Sequence, residues 1–99
     1  MKEFTYTIVD KDGMHARPAG RLVAEAKQFA SGISVKANGK TADGKRLISL
    51  MMLGAVCGTT LTFSIAGEDE EKAALELERF CRTQWNPTGT VLNDETIEN

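Results

Sequence analysis

The sequence predicts an α+β fold, one β-sheet with helices layered against it, and three observations carry that prediction. Phe4, Tyr6 and Ile8 alternate with Thr5, Thr7 and Val9, and Leu61, Phe63 and Ile65 alternate with Thr60, Thr62 and Ser64, the period-two signature of half-buried strands. Leu22, Val23, Ala26, Phe29 and Ala30 recur at helical spacing, as do Ala73, Ala74, Leu77, Phe80 and Cys81. The elements run strand, helix, strand, strand, helix, strand, helix. A simple doubly wound parallel sheet cannot have that order, whereas an α+β layer with one sheet face covered and the other more open can.

The first strand is expected over Lys2 to Val9, with Asp10-Lys11-Asp12-Gly13 as the turn that follows, because Asp and Gly supply turn chemistry. Pro18 is tolerated in the first turn of a helix, where its missing N–H would have no partner, so the first helix is expected from about Ala16 to Phe29. Arg21, Glu25, Lys27 and Gln28 fall on its solvated side, and Ser31-Gly32 is expected to close it, with Gly32 as a left-handed cap. Ile33, Val35 and Ala37 mark a second strand, Asn38-Gly39 a tight hairpin, and Lys40 the start of a third, shorter strand.

Asp43-Gly44 turns the chain into a short helix over Leu47 to Leu53 that is apolar on nearly all sides, with Gly54 ending it. Such a segment reads either as core or as an exposed docking face. The fourth strand spans Thr60 to Ala66 and Gly67 turns it. Glu68, Asp69, Glu70 and Glu71 crowd the start of a third helix, where carboxylates are favoured by the helix dipole, so this acidic run reads as capping rather than as a metal site. Trp85 is expected to cover the end of that helix, and Asn86-Pro87-Thr88-Gly89 to break it.

A length of 99 residues allows one modest core and no separate nucleotide-binding module. Residues 1–85 are expected to form the domain and 86–99 a polar, flexible tail. A net charge of -2 and a pI near 5.4 give no global attraction for nucleic acid. No apolar run approaches a membrane span and Met1-Lys2-Glu3 does not read as a secretory signal, so no membrane insertion and a cytoplasmic location are expected. Cys57 and Cys81 have neither metal spacing nor a disulfide framework around them and read as reduced thiols, with a pairing between them left open. No Walker-type phosphate loop, zinc motif or catalytic triad is present, and neither a cofactor nor a metal is expected.

Gly13-Met14-His15-Ala16-Arg17-Pro18-Ala19 holds the only histidine, where the strand pattern gives way to the helix pattern. A helix start offers unpaired amide donors and a partial positive charge, and Arg17 adds a guanidinium able to bind phosphate bidentately. The positive terminus also disfavours a cationic ring and suits a neutral, nucleophilic imidazole. From spacing alone, His15 could equally be a surface residue.

The motif resembles the active-site signature of HPr, the histidine phosphocarrier of the phosphoenolpyruvate-dependent sugar phosphotransferase system, and the resemblance covers roughly residues 1 to 85. It implies an open-faced β-sandwich, a four-stranded antiparallel sheet with three helices on one side. It implies further that His15 accepts a phosphoryl group on Nδ1 from phosphorylated enzyme I and passes it to an enzyme IIA, that Arg17 stabilises the phosphate, and that Ala16 and Pro18 shape the pocket. By register the partner-docking contacts fall on Leu47, Ile48 and Met51. The protein would then be a carrier, expected as a monomer, with catalysis largely on its partners.

One position departs from the pattern. The regulatory serine that many Gram-positive members carry at the start of the second helix is replaced by Arg46, so no serine-kinase regulation of the usual kind is expected. The runner-up reading is a paralogue in a regulatory, nitrogen-linked or dihydroxyacetone phosphorelay.

Overall fold

A computed structural model describes residues 1–83 and Trp85. The elements are β1 (Lys2–Thr7), α1 (Ala16–Ala26), β2 (Gly32–Ala37), β3 (Lys40–Asp43), α2 (Leu47–Met51), β4 (Thr60–Ala66) and α3 (Glu70–Thr83), in the expected order. The four strands form one antiparallel sheet in the order β1-β4-β2-β3, so the last strand is inserted beside the first. Phe4 pairs with Phe63 and Val35 with Phe63 across the sheet, which places the apolar member of each alternation on a single face. Thr5, Thr7, Lys36, Thr41 and Thr60 lie on the opposite, exposed face.

The core lies between the apolar sheet face and the helices. Leu61, Phe63 and Ile65 of β4 and Ile33 and Val35 of β2 meet Leu22 and Ala26 of α1, Leu50 of α2, and Leu77, Phe80 and Cys81 of α3 in one buried cluster. Phe4 stacks on Phe63 with ring centroids 4.6 Å apart. Asn38 and Gly39 have φ of 54° and 75°, as a type I′ hairpin requires, and the Asn38 side-chain amide donates to the Leu53 carbonyl at 3.0 Å. The hairpin tip is thereby tied to the end of the second helix.

Several boundaries differ from those expected. The first helix stops at Ala26 rather than Phe29, because the Gln28 and Phe29 amides donate three residues back, to Glu25 and Ala26, in a tightened final turn. Gly32 is not a left-handed cap: it opens β2, and the adjoining loop is held from outside by Asp69, whose carboxylate accepts from the amides of Ala30 and Ser31 and from the Ser31 hydroxyl. The carboxylate of Asp69 therefore serves the α1–β2 loop, while Glu70 accepts the Gly67 amide at 3.1 Å, the local capping role. The second helix is shorter than expected, ending at Met51, and Gly54 follows with φ of 67°. Cys57 is exposed, Cys81 is buried, and both are free. The expectations for 86–99 fall outside the described residues.

Candidate functional site

The site is built where β1 hands the chain to α1. Asp10 accepts the Asp12 amide on its side chain at 2.8 Å and the Gly13 amide on its carbonyl at 2.9 Å, which closes the turn. Gly13 takes φ of 70°, and a Cβ there would lie 2.7 Å from the Ala55 carbonyl oxygen, so only glycine allows the two loops this approach. The Met14 amide then donates to that same carbonyl at 2.9 Å, while the Met14 side chain is buried. His15 follows as a residue whose backbone is fixed and whose ring is left outside.

His15 is the N-cap of α1, with extended backbone at φ of -106° and ψ of -173°, and its side chain makes no capping bond. Its carbonyl accepts from Ala19 at 3.0 Å. Ala16 and Arg17 occupy the first helical turn, and Pro18 beside them has no amide to satisfy. The backbone N–H groups of Ala16 and Arg17 have no acceptor among the described residues, so they remain available to an anion at the helix start.

His15, Arg17 and Pro18 line one cavity of about 270 Å³, together with Asp10, Asp12, Arg21 and Trp85. The expected histidine, arginine and proline are thus brought together, with Ala16 exposed at the first helical position. Four lining residues were not anticipated as such. In the sequence Asp10 and Asp12 stand only as turn formers, although their closeness to His15 in the chain is a usable signal. Arg21 falls there on the solvated side of the helix. Trp85 gave no local signal of a place at the site: it is buried, its indole N–H donates to the Pro18 carbonyl, and it packs against Tyr6 and Phe80.

The docking candidates lie on α2, which packs against α1. Leu47, Ile48 and Met51 are all exposed, Ile48 by 66%, while Leu50 of the same helix is fully buried. The segment is therefore both core and surface. Met52, a second adaptable methionine beside Met51, is exposed as well, and Val56 and Val9 are further exposed apolar side chains that sequence reasoning does not single out. Arg46 is the N-cap of α2 and lies 3.6 Å from the Asp43 carboxylate in an exposed pair.

The fold and this site define a small α+β domain that presents one histidine, with an arginine and a proline, at the start of its first helix. A family model described as the PTS HPr component phosphorylation site matches residues 2–83. The phosphocarrier protein HPr of Haemophilus influenzae is 46% identical over 70 residues, 71% of this chain and 82% of the relative. That of Buchnera aphidicola subsp. Baizongia pistaciae is 43% identical over 76 residues, 77% of this chain and 89% of the relative. Among solved structures, the histidine-containing phosphocarrier protein of Mycoplasma superposes with a TM-score of 0.78 at 34% identity, covering 81% of this chain and 91% of that one. An HPr dimer from Thermoanaerobacter tengcongensis gives 0.67 at 36% identity, covering 86% and 98%. The chain belongs to the HPr family, the phosphocarriers of the phosphotransferase system.

Proposed function

We propose that this chain accepts a phosphoryl group on Nδ1 of His15 from phosphorylated enzyme I and passes it to an enzyme IIA in sugar uptake. The observation that carries the reading is the exposed His15 ring at the start of α1, sharing one cavity with Arg17. In the transfer, the lone pair of the ring nitrogen forms the N–P bond as the bond from phosphorus to the donor breaks. Arg17 and the amides of Ala16 and Arg17 balance charge on the phosphoryl oxygens, and Pro18 shapes the pocket floor. Little else is asked of the carrier, because positioning and charge stabilisation supply most of phosphoryl-transfer catalysis and the partner contributes its share.

Leu47, Ile48 and Met51 form the docking surface for both partners in this reading, with adaptable methionine and aliphatic side chains suited to more than one contact. Arg46 stands where a phosphorylatable serine would be needed, so the carrier escapes that form of regulation. It acts as a monomer in the cytoplasm, with residues 1–85 as the working domain. No helix among the described residues is long and apolar enough to cross a membrane.

Intact-mass analysis after mixing the chain with enzyme I, magnesium and phosphoenolpyruvate tests the proposal. One acid-labile phosphoryl group is expected on the wild type and none on His15→Ala. No added mass, with the same enzyme I competent on another carrier, would overturn it.

A further inference from the structure

A feature of the cavity works against phosphate rather than for it. One carboxylate oxygen of Asp10, one of Asp12 and a ring nitrogen of His15 lie within 4.8 Å of one another. Asp10 spends one oxygen on the Asp12 amide, and the Asp12 side chain makes no hydrogen bond or ion pair among the described residues. Two negative charges therefore stand beside the ring that receives a phosphoryl group. A site built only to hold phosphate would not be arranged in this way.

We infer that Asp10 and Asp12 are positioning residues that set the phosphoryl-transfer potential of His15, by destabilising its phosphorylated form. The inference rests on the carrier reading above. A phosphoryl dianion on a protonated ring carries a net charge of about -1, so carboxylates facing the phosphorylated nitrogen repel the group that it bears. Arg17 and Arg21 line the same cavity and favour the phosphoryl oxygens. Arginines that capture and carboxylates that press outward give a group held long enough to be carried and readily surrendered. On surrender the N–P bond breaks, its electron pair returns to the ring nitrogen, and phosphorus bonds to the acceptor's nucleophile. The repulsion is then relieved.

The turn allows a clean test, because asparagine keeps the side-chain carbonyl that Asp10 offers to the Asp12 amide while removing the charge. The phosphorylated fraction is measured by intact mass at equilibrium with enzyme I, magnesium and a fixed ratio of pyruvate to phosphoenolpyruvate. Asp12→Asn should shift the equilibrium toward the phosphorylated carrier by about three- to tenfold, and the double change to asparagine further, with both shifts shrinking as salt is raised. Asp12→Glu, which retains the charge, should stay close to wild type. A shift under about twofold for the double asparagine variant, or an equal shift for Asn and Glu, would overturn the inference while leaving the carrier reading intact. Failure of the wild type to take up phosphate would overturn both.

Discussion

The indole N–H of Trp85 donates to the carbonyl of Pro18 across 2.6 Å, joining residues 67 positions apart. Pro18 is in the first turn of α1, three residues after His15, so this bond ties the far end of the fold to the start of the site helix. The ring is also held by Tyr6 at 5.6 Å and Phe80 at 6.3 Å between centroids. Both the wall of the cavity and the edge of the core depend on it.

Trp85→Phe keeps an aromatic ring and removes the donor. It should cost about 1–2 kcal/mol in urea unfolding, from the lost hydrogen bond and the reduced volume. Trp85→Ala should cost about 3–5 kcal/mol, because a buried aromatic leaves a cavity that its neighbours fill only in part.

Gly13→Ala should lower stability by at least about 1 kcal/mol, since alanine is strained at a positive φ and its Cβ has no room. The built Cβ would stand 2.7 Å from the Ala55 carbonyl oxygen and 2.9 Å from the Val56 Cα. The Met14–Ala55 bond must then lengthen and carry His15 with it. A slower uptake of phosphate from enzyme I, measured alongside the thermal midpoint, is the expected result.

The Ser31 hydroxyl and then the Ala30 amide hold Asp69 below its ordinary value of 3.8. A carboxylate depressed in the folded state stabilises it above the unfolded pKa, and that contribution is lost as pH falls through the folded value. Thermal midpoints should therefore drop on acidification from just above the unfolded value downward. Asp69→Asn should lower the midpoint at neutral pH and flatten this acid limb.

Tyr6 is the only tyrosine, so its ionisation can be followed by absorbance without assignment. Burial, followed by the nearby Cys81, pushes its phenol from 10.0 up to about 12. A raised acid stabilises the fold fully below the unfolded pKa and loses that contribution as pH rises through the folded one. The titration midpoint should appear near 12, and urea stability should decline across that window. A midpoint near 10 would show an exposed phenol.

Much of the fold was legible in the chain because it is written in local periods. The alternation in Thr60–Ala66 and the Asn38-Gly39 turn were read to the residue, since strand pleat and a positive-φ pair are properties of neighbouring positions. The C-terminal end of α1 was not, because the chain leaves it through a tightened turn into a loop that is held by a carboxylate 38 positions away. The apolar run at Leu47–Met51 likewise left two readings open. Burial of Leu50 beside exposure of Ile48 resolves them only once α2 is seated on the domain.

The order of elements, the histidine at the start of the first helix and the arginine two positions on are written along the chain, for these follow from backbone sterics and local spacing. What surrounds that histidine comes from packing between distant segments. Insertion of β4 beside β1 and the packing of α3 bring Trp85 to Pro18, and the approach of the Ala55 loop to Gly13 fixes the turn that carries Asp10 and Asp12 beside the ring. Contacts across such separations depend on the closure of the whole core, and no local pattern encodes them.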